Sequence, residues 1–187
     1  MEFFNMIWNA ISTPNETIIN IFLVFATFFI EIPLTFSIIT SIFKIEYTKR
    51  QKYIYILSAS TVSLLSMFIL NNPFNIAFNY ISNFIIIYFV FSIGKFKSMI
   101  ATIFPSIIFS LLIALFLNPY LTLLNITYEQ VNDIPIYRFP LLIFIYLIVL
   151  IFVIILKSKN FTIKILNNFD KKNKSIIILN FIFGCLT

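Results

Sequence analysis

Long apolar runs, broken at intervals by short charged or amide-rich stretches, organise this chain. They occupy residues 17–43, 53–70, 76–93, 99–124 and 139–156, and a sixth run starts at 175 and reaches residue 187. The first five have the length of a membrane crossing, about 20 residues at about 1.5 Å rise each. Backbone amides find no water in lipid, so such runs must be helices or strands of a closed barrel. Barrel strands alternate apolar and polar positions, whereas Leu141 to Leu156 is apolar throughout, which selects helices. The expected fold is an all-α polytopic transmembrane bundle of about six helices in a single domain. The sixth run, 175–187, is too short for a hydrocarbon core of about 30 Å, so the chain is expected to be cut from a longer one.

Local signals refine this plan. Phe3, Phe4, Met6, Ile7, Trp8 and Ile11 form an apolar stretch in residues 1–13 with no basic residue, which a secretory signal would need. A short interfacial helix anchored by Trp8 is expected instead. Thr13-Pro14-Asn15-Glu16 predicts a capping box, with Thr13 as the cap and Pro14 at the first helical position. Ala59, Ser63 and Ser66, with Ser58 and Thr61 nearby, predict close helix approach along the second span. Phe161, Ile165 and Phe169 among Lys164, Lys171 and Lys172 predict an amphipathic segment on anionic lipid.

Charge gives the pattern a direction. Of 13 Lys and Arg residues, 12 fall in the first, third and fifth connections: Lys44, Lys49, Arg50 and Lys52; Lys95 and Lys97; and Lys157, Lys159, Lys164, Lys171, Lys172 and Lys174. The positive-inside rule places those connections in the cytoplasm and the N-terminus outside. The net charge of +6 is then a topological signal, and no nucleic-acid partner is implied. Composition agrees: 60% of residues are hydrophobic, 11% are charged and the mean hydropathy is +1.01.

Absent residue types close off chemistries. The chain has no His, so Ser-His-Asp and Cys-His nucleophiles, His-ligated zinc or haem and a His phosphoacceptor are all excluded. Two Gly cannot build a phosphate-cradling loop, and one Cys forms neither an intrachain disulfide nor a metal cluster. No catalytic residue, metal site or cofactor is expected, and these residues are not read as an enzyme.

Three groups of polar residues are candidates. Asn72, Asn75, Asn79 and Asn83 share one helix face, and Asn118 lies at the outer end of the fourth span. These amides serve either as glue between helices or as the lining of a hydrated outer vestibule, in which Asn79, Asn83 and Asn118 would bind a ligand. Glu31 is the only carboxyl inside a span, where a charge costs at least about 2.5 kcal/mol. It needs either a cationic partner or a protonated state bonded to a neighbouring helix. Its distance along the chain from the outer end argues against pairing with Arg138. Pro33, two residues on, removes a backbone donor and is expected to kink the helix as a hinge, as are Pro105 and Pro119. The outer connection, 125–138, carries Glu129, Asp133 and Arg138 with Tyr128 and Tyr137. Glu129, Asp133, Tyr137 and Arg138 are ligand-binding candidates for a cationic or apolar peptide, against the alternative of a solvated hairpin.

Ser12-Thr13-Pro14-Asn15-Glu16, Asn132-Asp133-Ile134-Pro135-Ile136-Tyr137-Arg138-Phe139-Pro140, and Asp170-Lys171-Lys172-Asn173-Lys174 leading to Asn180-Phe181-Ile182-Phe183-Gly184 carry a family resemblance. Over essentially its whole length the chain resembles the membrane sensor half of clostridial sensor histidine kinases with a GHKL-type ATPase domain, the group of the AgrC-like peptide receptors. The resemblance implies a multi-pass domain of the bacterial cell membrane that senses an extracellular signal, often a small autoinducing peptide, in quorum sensing. It also implies a two-component system, with a homodimer, a following cytoplasmic kinase domain and a response regulator. No catalytic residue of that family has a counterpart here. The alternative is a six-helix transporter or substrate-capture subunit. The membrane protease that processes such peptides is excluded, since its Cys-His chemistry needs a His.

Overall fold

The computed structural model describes residues 2–71 and 73–159. They form α1 (Glu2–Ser12), α2 (Glu16–Ala26), a π-helical turn (Thr27–Glu31), α3 (Ile32–Phe43), α4 (Lys49–Ile69), α5 (Phe74–Phe91), α6 (Lys95–Leu124), α7 (Tyr128–Asp133) and α8 (Pro135–Ser158). Five stretches are long and apolar enough to cross a membrane: Glu16–Phe43, α4, α5, α6 and α8. The chain is thus an all-α, multi-pass membrane protein whose apolar helices face lipid. Phe89 on α5 and Leu115 on α6, exposed by 71% and 63%, belong to that lipid-facing surface. The expected sixth span and the amphipathic segment at 161–172 lie outside the described residues.

The helices overrun the apolar segments at their basic ends. Lys49, Arg50 and Lys52 sit in the first turn of α4, and Lys95 and Lys97 in that of α6, because helical hydrogen bonding continues where the side chains turn polar. α8 also overruns at its opposite end, starting at Pro135, four residues before the apolar segment.

The expected capping box at Thr13 is not formed. Asn15 caps α2, its Oδ1 accepting from the Ile18 amide at 3.1 Å. Thr13 instead donates its hydroxyl to the Asn9 carbonyl at 2.6 Å and so belongs to the end of α1. A shorter turn suffices here because the Asn15 amide donates to the Asp133 carbonyl at 3.1 Å, tying the start of α2 to α7. True capping boxes occur at Thr48 with Gln51 and at Thr127 with Gln130. The second makes residues 128–133 a short helix within the connection for which a solvated hairpin was the alternative reading, with Val131 buried.

α3 is the centre of the bundle. Ile32, Leu34, Phe36, Ile38, Ile39, Ile42 and Phe43 are buried around its circumference, as expected of a helix enclosed by neighbours. It packs against α4, α6 and α8, and α5 is inserted between α4 and α6. Phe36, Tyr55 and Phe91 interlock with ring centroids 5.5–6.1 Å apart, joining α3, α4 and α5 near their basic ends. There too, Gln51 donates its side-chain amide to the Val90 carbonyl at 2.8 Å. Ala59 and Ser66 on α4 are buried in the helix contacts expected of them, and Ser98 and Ala101 on α6, which carried no such expectation, are buried as well.

Pro33 does not simply kink the first span. As residue 2 of α3 it follows the π turn, in which the Ile32 amide donates five residues back to the Thr27 carbonyl. The proline ring would crowd the carbonyl four residues before it, and one extra residue in the preceding turn relieves that clash. α6, by contrast, remains one helix of 30 residues through Pro105 and Pro119.

Candidate polar cavity

The π turn sets the position of Glu31, its last residue. Glu31 lines a cavity of about 300 Å³ bordered by α3, α4, α5 and α6. Thr35 of α3, Tyr55 and Ser63 of α4, Asn79, Tyr80 and Asn83 of α5, and Thr102 and Ser106 of α6 supply its polar wall. Ile32, Ile39, Ile76 and Ile87 complete it. The cavity is not sealed, since Ile76 and Tyr80 are 54% and 37% exposed.

Helix spacing explains the polar wall. Asn79 and Asn83 are four residues apart, as are Thr102 and Ser106, so each pair stacks on one helix face. The Asn83 side-chain nitrogen donates to the Asn79 backbone carbonyl at 3.0 Å and to Asn79 Oδ1. Ser63 Oγ donates to the same Oδ1 at 3.2 Å, so the Asn79 amide bridges α4 and α5. Thr102 spends its proton on the Ser98 carbonyl at 2.8 Å, leaving its oxygen as an acceptor. Asn83 Oδ1 is buried without a hydrogen-bond partner. The lining residues include no Lys or Arg, so the wall holds a carboxyl and several acceptors with no counter-charge.

Two expectations from the chain meet here. The amide face and Glu31 were separate candidates, and the bundle puts Asn79, Asn83 and Glu31 in one cavity. Asn79 is both glue and lining, through its bond from Ser63. Ser63 was expected to serve packing alone. Tyr55, Thr35, Thr102 and Ser106 were not singled out, because isolated hydroxyls in apolar helices commonly bond their own backbone. The spacing of Thr102 and Ser106 was the one available signal for α6.

The outer candidates are only partly brought together. Asp133 and Arg138 line a second, open cavity of about 500 Å³ with Asn15, Glu16, Asn20 and Asn132, at the end opposite the basic connections. Arg138 donates from Nη1 to the Asn132 carbonyl at 2.8 Å, which holds its guanidinium over that cavity. Arg138 and Glu31 line different cavities, as their separation along the chain led one to expect. Glu129 stands exposed on α7. Tyr137 is half-buried, and its backbone carbonyl accepts the Tyr120 hydroxyl at 2.8 Å. Asn118 is exposed on α6. None of these three lines either cavity. Pro33 borders an apolar groove between α3 and α8, beside Leu34, Ser37 and Tyr146.

Fold and site together define a multi-pass helical membrane protein with a polar cavity inside its bundle. No protein-family model, curated protein or solved structure matches the chain.

Proposed function

We propose that this chain is the signal-sensing membrane module of a two-component sensor histidine kinase, binding an extracellular signal within its bundle and relaying it through helix repacking. The polar cavity at Glu31 carries this reading. A solute bound there would touch α3, α4, α5 and α6 together. A ligand shifts an equilibrium between helix arrangements only through its different affinity for each, and a site shared by four helices changes shape when any of them moves. The π turn supplies an element with an alternative arrangement, since a π turn and a regular α turn differ by one residue of register. The open cavity lined by Asp133 and Arg138 adds a polar surface at the outer end of the bundle. The output half of the proposal rests on the resemblance to GHKL-type kinases of the bacterial cell membrane: a homodimer, a following kinase domain and a cytoplasmic response regulator.

A second reading, a small-solute transporter or capture subunit, is favoured by one observation. Transporters place irregular helix turns beside polar residues near mid-membrane, and Glu31 ends such a turn. Two measurements on the natural gene product separate them. Membranes incubated with labelled ATP should incorporate phosphate at a rate that changes with extracts of conditioned medium, and proteoliposomes should show no saturable uptake. Uptake without ATP-dependent labelling would overturn the sensor reading.

A further inference from the structure

We infer that the cavity at Glu31 is a binding site for a small organic ammonium ion. The inference rests on that cavity being the ligand site proposed above, and it names the ligand's chemistry. Three features of the wall point the same way. Glu31 supplies a carboxyl, and the lining residues hold no Lys or Arg to pair with it. A charge taken out of water is tolerated when a counter-charge accompanies it, and here the ligand brings one. Next, the wall offers free acceptors beside the carboxyl, in addition to the hydroxyls of Thr35, Tyr55, Tyr80 and Ser106. Asn83 Oδ1 is buried and unpartnered, and the Thr102 hydroxyl has already donated its proton. A carboxylate and an unpartnered carbonyl on different helices suit an N–H group that donates to both, whereas an anionic ligand would sit beside the Glu31 carboxylate with no Lys or Arg in the lining to offset the repulsion. Tyr55 and Tyr80 add aromatic rings, which attract ammonium groups.

Volume narrows the class further. About 300 Å³ lies at the low end of small-molecule sites and holds a solute of roughly five to ten non-hydrogen atoms. A bare sodium or potassium ion would fill a small part of that space. A primary or secondary amine with a short carbon chain occupies it, the chain lying on Ile32, Ile39 and Ile87.

The test is calorimetric titration of the full chain in lipid nanodiscs with n-butylammonium chloride, against sodium butyrate, 1-butanol, sodium chloride and empty nanodiscs. Saturable binding at one site is expected for butylammonium alone. Glu31→Gln should weaken it at least tenfold and Asn83→Ala about three- to tenfold, with unfolding midpoints showing that each variant is folded. No saturable butylammonium binding, equal binding of butyrate, displacement by stoichiometric sodium, or unchanged affinity in a folded Glu31→Gln would each overturn the inference. Should Glu31→Gln fail to fold, Asn83→Ala decides: weakened binding supports the site and unchanged binding removes it. If butylammonium fails while ATP-dependent labelling still responds to conditioned medium, the ligand class falls and the sensor reading stands.

Discussion

Lys44, Ser92 and Asn125 end α3, α5 and α6 in the left-handed conformation, at φ of 46°, 51° and 53°. Glycine usually fills such positions because a Cβ there costs about 1–2 kcal/mol. With two Gly in the whole chain, three helices stop on residues that carry that strain. Ser92→Gly should therefore stabilise the protein by about 0.5–1 kcal/mol, after subtracting glycine's extra freedom in the unfolded chain, and raise the thermal midpoint in detergent. The start of α2 gives an opposed pair. Asn15→Ala removes the cap from the Ile18 amide and should cost about 1 kcal/mol. Thr13→Ala should cost clearly less, since its hydroxyl serves α1. Equal losses in a denaturant titration would restore Thr13 as the cap. From the chain, Thr13 was the better candidate by spacing to Glu16. The bond from the Asn15 amide to Asp133, 118 residues away, moved the helix start, and no local pattern encodes such a contact.

Among the elements, the first span was legible as one apolar run and is a composite: α2, a π turn and α3. A π turn leaves no hydrophobic signature, since it adds a residue without changing which types are apolar. Its only trace was Pro33. One residue of register turns a helix by about 100°, so the π turn sets the direction in which Glu31 faces. Pro33→Ala removes the clash that favours the wide turn. The variant should keep or raise its unfolding midpoint and bind butylammonium several-fold more weakly. Full affinity in Pro33→Ala would show that the turn does not depend on the proline. α4 offers a control at its basic end. Gln51→Ala loses both its capping bond and its bond to the Val90 carbonyl, and should destabilise by about 1–2 kcal/mol while leaving the cavity's affinity unchanged.

At the scale of the whole molecule, every Lys and Arg of the described residues except Arg138 gathers at one end of the bundle, where Gln51 meets Val90. Asn15, Asp133 and Arg138 meet at the other. The positive-inside rule makes the first end cytoplasmic. In a Cys185→Ser background, Asn71→Cys and Asp133→Cys should react with a membrane-impermeant maleimide in intact cells, and Lys44→Cys should react only after permeabilisation. The reverse labelling would invert the topology on which the sensor reading depends.

The sequence by itself determined that this is a helical membrane protein, where five crossings lie to within about four residues and at which end the charge sits. Each of these follows from one-dimensional facts: the run length needed to cross lipid and the cost of carrying lysine through it. It also marked Glu31 and the Asn79–Asn83 face as residues that lipid would not tolerate unattended. Tertiary structure alone decided that these belong to one site. Glu31 and Asn83 come from different helices, and whether their faces converge depends on the rotation of each helix about its axis. That rotation is set by the π turn and by the packing of Phe36, Tyr55 and Phe91. For the same reason, the outer candidates divided: Asp133 and Arg138 line one cavity, and Glu129 and Tyr137 do not. The capping box at Thr127 wound their connection into a helix, which turned neighbours in sequence toward different surroundings.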